Sequence, residues 1–315
     1  MMDEGLLVQE RILPSFPSTQ GLTTLDNSTQ WCWVCKSSSM TLVKRGAIPE
    51  NMSGHDYRIT DATYGLTADI FQCGQCGFRQ CSDLVNVLQY YEEMEDDEYE
   101  ATRAERAIQA NTLLKIVERF KPRGRLLDVG AGSGIFVEQA QKAGFTACGV
   151  EPSRSLHAQA RQRGLPVTLG ALPHDNVTGP FDVVTLVDVI EHVPNPIEVT
   201  QSLGNVLADD GVCLIATPDI GSVAARLMGW RWWHYRLAHI GYFNRSTLRL
   251  AMKSAGMDII HISRPTWYFT VSYLATRVLQ YVPAWLRPPI PKFFDRIMMP
   301  LNLFDSWLIV CRKSC

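Results

Sequence analysis

The chain has 315 residues, 46% hydrophobic and 20% charged, an ordinary globular composition with room for one large domain and an appendage. A formal net charge of −2 offers no basic footprint for a nucleic-acid backbone, so nucleic acid is not an expected partner. The opening Met1-Met2-Asp3-Glu4 lacks the positive flank and apolar stretch of a secretory signal, and no run reaches the roughly 18 apolar residues of a spanning helix, which points to the cytoplasm.

Residues 1–28 are rich in Ser, Thr, Pro and Gln without a period and predict a flexible leader. Five of the nine cysteines then cluster: Cys32, Cys35, Cys73, Cys76 and Cys81. Cys32-Trp33-Val34-Cys35 and Cys73-Gly74-Gln75-Cys76 are two C-x-x-C knuckles, each able to set two thiolates on one tetrahedral ion. Together they predict a zinc ribbon over 29–95, with Zn²⁺ as a structural ion replacing a core that so small a lobe lacks. The 37 residues between the knuckles predict a loop or hairpin around Asp56–Asp61. The alternative is four free, buried cysteines. Cys81 is the surplus, either a replacement ligand or a small buried residue.

An acidic run from Glu92 to Glu100 leads to a helix predicted over 101–120, with Ala107, Ala110, Leu114 and Val117 on its apolar face. Apolar strands then alternate with helices: 125–129, 146–150, 166–169, 181–187 and 212–216. That alternation predicts an α/β fold, a mostly parallel sheet with helices on both faces and a site beyond the carboxyl ends of its strands.

The first of these strands ends in Asp128-Val129-Gly130-Ala131-Gly132-Ser133-Gly134-Ile135. Its glycines let backbone N–H groups approach a ligand where a helix opens, and about 20 residues on Glu151-Pro152 follows the next strand, placed for a ribose diol. This is a nucleotide-type cofactor site. A dinucleotide fingerprint would put its third glycine at position 135, where Ile135 stands, so hydride chemistry loses ground.

Further along, Trp230–Tyr235 is an aromatic run, read as a lid on the sheet or a surface for a sugar face or a lipid. Residues 264–304 are dense in aromatics, and Pro288, Pro289 and Pro291 predict a split into two short helices. Arg277, Arg287, Lys292 and Arg296 interleave with those aromatics, as at a membrane interface; a dimer contact or a substrate cover is the duller reading.

The G-x-G-x-G spacing at Gly130, Gly132 and Gly134 resembles motif I of the class I S-adenosylmethionine (SAM) dependent methyltransferases. The stretch Phe181 to Pro196, with Asp188, Glu191 and His192, is similar to the fourth strand and following loop of a group that includes the ubiquinone-pathway O-methyltransferases and many sugar and glycan enzymes. Leu203–Val212, Thr217-Pro218-Asp219, Ser254–Met257 and Asp305–Lys313 resemble its later elements, so the likeness covers about 101–313. The cysteine lobe resembles that of sugar C-methyltransferases, which are longer and carry a second carboxy-terminal domain.

The resemblance implies a Rossmann-like seven-stranded sheet over 96–263, completed by a last strand in 305–315 after the 264–304 cover. It implies SAM as cofactor, with Asp128, Gly130, Ala131, Gly132 and Gly134 around the methionine part and Glu151 and Pro152 at the ribose. Ala171 and Leu172 would border the adenine, and Asp188 would sit beside the sulfonium. Glu191 and His192 would face the methyl group, with His192 as general base and His239 converging on the same acceptor; the bland alternative is a loop histidine that caps the next helix. Asp188, Glu191 and His192 with a later histidine also resemble the divalent-metal site of RNA 2′-O-methyltransferases.

The expected activity is methyl transfer to a hydroxyl, or less readily a carbon, of a sugar, glycan or lipid-linked precursor. A small aromatic acceptor, an RNA 2′-O-position and a non-turnover SAM-binding or zinc interaction module are the alternatives. Expected partners are the acceptor, with peripheral membrane contact at the inner face through 264–304 and a homodimer as options.

Overall fold

The computed structural model describes residues 31–48, 52–60, 64–81, 87–279 and 282–314. The 1–28 leader, Asp61, Tyr281 and Cys315 lie outside them. The first knuckle precedes strand β1 (Met40–Lys44), and the second forms the turn between β2 (Ile70–Cys73) and β3 (Arg79–Cys81), where Gly77 adopts φ +76°. β1, β2 and β3 pair antiparallel. The loop expected around residue 56 carries one short 3₁₀ turn, Gly54–Tyr57, whose Tyr57 is buried and stacks on Tyr90 with ring centroids 4.9 Å apart.

Three helices follow, α1 (Val87–Glu92), α2 (Asp97–Ala101) and α3 (Arg103–Val117). The helix predicted as one from 101 is thus broken at Thr102. Asp96 caps α2 by accepting from the Tyr99 N–H at 3.2 Å, which starts a turn earlier than the apolar spacing suggested. α3 buries Ala110, Leu113, Leu114 and Val117.

The main sheet is built from β4 (Arg125–Val129), β5 (Thr146–Glu151), β6 (Val167–Leu169), β7 (Phe181–Val187) and β8 (Leu207–Pro218). Helices α4 (Ile135–Lys142), α5 (Arg154–Gln162) and α6 (Pro196–Val206) connect them. After α7 (Val223–Met228) a two-residue strand, β9 (Gly241–Tyr242), leaves this sheet and pairs with β3, becoming the fourth strand of the cysteine lobe. Then come α8 (Arg245–Ser254), β10 (Met257–Ser263), β11 (Trp267–Thr270), α9 (Val271–Leu279), β12 (Met298–Leu301) and β13 (Ser306–Lys313).

The seven strands lie in the order β10-β13-β8-β7-β4-β5-β6, parallel except for β13, which is antiparallel to both neighbours. Continuous apolar runs suit strands covered on both faces: Leu127, Val184, Leu186, Cys213 and Ile215 are fully buried. Burying one large aliphatic side chain stabilises by about 1.5–3 kcal/mol, so this layer anchors the loops above it. Strand order reverses at β4 and β7, and the crevice beyond their carboxyl ends is where such sheets bind ligands.

Among the described residues, 264–304 hold one α-helix rather than two. β11 and β12 pair antiparallel, Trp267 opposite Leu301, and enclose α9 and two 3₁₀ turns, Ala284–Leu286 and Lys292–Arg296. The run Trp267-Tyr268-Phe269-Thr270 favours a strand, and the prolines remove the N–H groups a second helix would need. Among the described residues no helix is long and apolar enough to cross a membrane.

Candidate active site

The turn after β4 forms one wall of a cavity of about 430 Å³. Gly130, Gly132 and Gly134 all have positive φ, at +74°, +54° and +78°. A Cβ on Gly130 would lie 2.5 Å from Val189 Cγ2, and one on Gly132 would lie 2.5 Å from the Tyr99 hydroxyl, so these two positions require glycine on both conformational and steric grounds. The turn is fixed from below: the Gly130 and Ala131 N–H groups donate to the Val150 carbonyl at 2.9 and 3.1 Å.

Glu151 is buried at 5% exposure and accepts from the Gly132 N–H at 2.7 Å on one oxygen and from the Ser153 N–H at 2.8 Å on the other. Each oxygen keeps a further lone pair. Asp128 accepts from the Thr185 hydroxyl at 2.6 Å. Burial raises both carboxyls to about 7. Asp128, Gly130, Ala131, Glu151, Pro152, Ala171, Leu172 and Asp188 all line the cavity, with Gly132 and Gly134 shaping the turn.

Asp188 takes φ +52° and opens onto this cavity and a second one of about 470 Å³. Its depth in the fold raises its carboxyl, against the pull of His234 and Arg106. The two cavities also share Ile59, Arg106, Gln109 and His192. Sequence reasoning missed Tyr99, on α2, and Arg106 and Gln109, three positions apart on α3. The Arg106 guanidinium lies 4.0 Å above the Tyr99 ring.

The second cavity brings Glu191, His192 and His239 together, with ligating atoms all within 4.8 Å of one another. Glu191 is 1% exposed; one oxygen accepts from the Thr217 hydroxyl at 2.9 Å, while Oε1 is buried with no hydrogen-bond partner among the described residues. Burial, then the charge of Asp188, raises Glu191 to about 8. The Nδ1 atom of His192 lies 2.7 Å from the Ala238 carbonyl and 2.5 Å from the Tyr91 hydroxyl, and its Nε2 is 3.9 Å from Glu191 Oε1. Burial, then Arg236, lowers His192 to about 3. His239 is lowered by the same causes; its ring meets that of His192 edge-on at 4.7 Å and stacks on that of His234 at 5.4 Å.

The aromatic run 230–235 packs largely into the core. Trp232 and Tyr235 are buried in the core, the Tyr235 hydroxyl accepting from Arg79 at 3.0 Å, and from this run only Trp233 and His234 line the second cavity. Its outer wall is Trp267, Tyr268, Phe269 and Tyr273 of the 264–304 segment.

In the cysteine lobe Cys32 and Cys76, and likewise Cys35 and Cys73, lie Sγ to Sγ at 3.5 Å, and all four sulfurs fall within 4.8 Å of one another. The Cys35 N–H points at Cys32 Sγ and the Cys76 N–H at Cys73 Sγ, both at 3.5 Å. Cys81 is no replacement ligand: it is 1% exposed and its thiol donates to the His239 carbonyl at 3.8 Å.

A methyltransferase-domain family model matches residues 99–262. The chain belongs to this family, the SAM-dependent methyltransferases. Ubiquinone biosynthesis O-methyltransferases from Psychrobacter cryohalolentis and from a Caulobacter species are 34% and 35% identical, each over 30% of this chain and 40% of the relative. The match thus spans less than half the length of these relatives. Among solved structures, a SAM-dependent methyltransferase from Thermotoga maritima, described as a possible histamine N-methyltransferase, shares 19% identity at a TM-score of 0.46 over 69% of this chain and 96% of its own. Another from Clostridium acetobutylicum shares 11% at 0.45, over 67% and 92%.

Proposed function

We propose that this protein transfers a methyl group from SAM to a hydroxyl of a sugar, glycan or lipid-linked precursor. The observation that carries the proposal is the junction of two cavities at Asp188 and His192, one walled by the glycine turn, the other by Glu191, His192, His239 and aromatic side chains. The first cavity suits SAM: its turn admits a ligand where Cβ atoms would block it, and three carboxyls, Asp128, Glu151 and Asp188, face a molecule bearing a ribose diol, an ammonium and a sulfonium. When bound, SAM supplies an electrophilic methyl.

The protein's own residues hold and deprotonate the acceptor. Trp233, Trp267 and Tyr273 offer flat apolar faces for the C–H face of a sugar ring, and Glu191 and Asp305 offer acceptors for its hydroxyls. His192 Nε2 takes the hydroxyl proton as the oxygen attacks, with Nδ1 anchored on Ala238. Approximation by the two cavities supplies most of the rate, as much as roughly 7–11 kcal/mol in favourable cases. The O-methyltransferase names of the curated relatives support oxygen over carbon as acceptor atom and keep a small aromatic acceptor as the alternative. We assign residues 96–263 and 305–315 to the cofactor domain and 29–95 to a lobe held by one Zn²⁺ on Cys32, Cys35, Cys73 and Cys76. The sulfur spacing supports this, since metal–sulfur bonds of about 2.3 Å give a tetrahedron with edges of roughly 3.8 Å.

A second reading rests on the buried Oε1 of Glu191, which has no hydrogen-bond partner among the described residues: with His192 and His239 it would hold a divalent cation that orients the acceptor oxygen. The deciding assay incubates the protein with SAM and nucleotide sugars, lipid-linked sugars or phenols and measures S-adenosylhomocysteine and methylated product by mass spectrometry. Methylation of a sugar hydroxyl is expected. Turnover confined to phenols would overturn the sugar acceptor, and no SAM binding would overturn the whole proposal.

A further inference from the structure

The outer wall of the second cavity is apolar on its far side too. Helix α9 carries Val271, Tyr273, Leu274, Val278 and Leu279 yet buries none of them fully. Beyond it Trp285 is 82% exposed, Leu286 53%, Phe293 59% and Ile297 43%. Single exposed apolar residues are ordinary, but four within thirteen positions, one a nearly bare tryptophan, mark a contact surface. Arg287, Lys292 and Arg296 are exposed among them, and the single acid of the stretch, Asp295, is exposed as well and borders the second cavity. Two 3₁₀ turns separated by Pro288, Pro289 and Pro291 hold these side chains on short, stiff segments in place of one long helix.

We propose that residues 282–297 seat this protein on an anionic lipid bilayer, with Trp285, Leu286 and Phe293 in the headgroup layer and Arg287, Lys292 and Arg296 against lipid phosphates. Indole and phenyl rings flanked by basic residues match the two attractions of such an interface, apolar burial and the negative surface potential. Charge decides against a second copy of the chain as the occupant. Three basic residues against one exposed acid, Asp295, leave the surface net positive, so a two-fold contact through it would set like charge against like. Seating the protein here needs neither cofactor nor acceptor, so the inference stands apart from the proposed acceptor. It would also place the outer wall of the acceptor cavity at the bilayer surface.

The test is co-sedimentation of the full chain with vesicles of phosphatidylcholine, with and without phosphatidylglycerol. Binding is expected only with phosphatidylglycerol and should be lost at high salt. Arg287→Gln and Lys292→Gln should each weaken it about fivefold, the gain of one basic residue at an anionic surface. Trp285→Ser with Phe293→Ser should weaken it further while SAM affinity, measured on the same preparations, stays unchanged. Equal binding to uncharged vesicles, or no binding to either, overturns the proposal. So does a concentration-dependent dimer in sedimentation velocity that Trp285→Ser dissolves.

Discussion

The carbonyl oxygen of Ala238 lies 2.7 Å from Nδ1 of His192. A carbonyl only accepts, so this nitrogen carries the ring proton and Nε2 keeps its lone pair on the side of Glu191 and His239. Burial, aided by Arg236, keeps the imidazole neutral far below the usual histidine range, at about 3. His192→Ala should therefore retain SAM affinity and lose about 10²–10⁴ in turnover. The pH–rate profile of the wild type should lack the limb near 6.5 that an ordinary imidazole gives. Near-normal turnover by His192→Ala would remove the base assignment.

Chelation tests the role of Oε1 of Glu191, which has no partner among the described residues. With His192 as a simple base, brief EDTA treatment should leave turnover unchanged. Activity that disappears and returns with Mg²⁺ or Mn²⁺, while the cysteine lobe stays folded, would establish the cation reading instead.

Glu151 is tied to the glycine turn in the wall of the first cavity by its 2.7 Å bond from the Gly132 N–H. Loss of its hydrogen bonds to a buried ligand should cost about 2–3 kcal/mol, so Glu151→Ala should weaken SAM by roughly 30- to 150-fold in calorimetry. An unchanged dissociation constant in a folded variant would refute the role.

Asp128 and Glu151 titrate near 7 because they are buried. Their ionised forms are the better partners for a cationic, diol-bearing cofactor, so SAM affinity should rise with pH through about 7 and then level. Stability of the ligand-free chain runs the other way. The folded state binds more protons than the unfolded between the ordinary carboxylate range and 7, so the melting temperature should fall as pH rises through that window. Glu151→Gln should flatten both slopes; identical slopes in the variant would locate the titration elsewhere.

One zinc per chain is expected by elemental analysis. Cys73→Ser should lose it and open residues 31–81 to protease. A metal-free protein with the same protease resistance would exclude a structural ion.

The first cavity was legible because its requirements are local. A turn that needs positive φ shows as glycines, and a strand end shows as the close of an apolar run, so Gly130 and Glu151 could be placed from spacing alone. The meeting of His192 with His239 was expected from the order of loops in such sheets. Tyr91 was not, because its hydroxyl reaches His192 from a helix 101 positions earlier and no periodicity encodes that contact. The same limit hid Tyr235: aromatic density marks burial or exposure equally well, and only packing against Tyr242 and Arg79 decides. The 264–304 segment misled because proline breaks a helix without revealing whether the residues before it prefer a strand.

β9 sits two residues beyond His239, so one short piece of backbone serves two masters. Its neighbour Ile240 donates to the Glu191 carbonyl at 2.9 Å and accepts from the Cys81 N–H at 2.7 Å, and Phe243 packs on Phe78 at 4.9 Å. A trimmed version beginning near residue 96 would strip the partner from this edge, bare Phe243 and free the loop that carries His239. The cysteine lobe is therefore a scaffold for one rim of the second cavity, and removing it should yield a chain that still holds cofactor yet turns over poorly and aggregates.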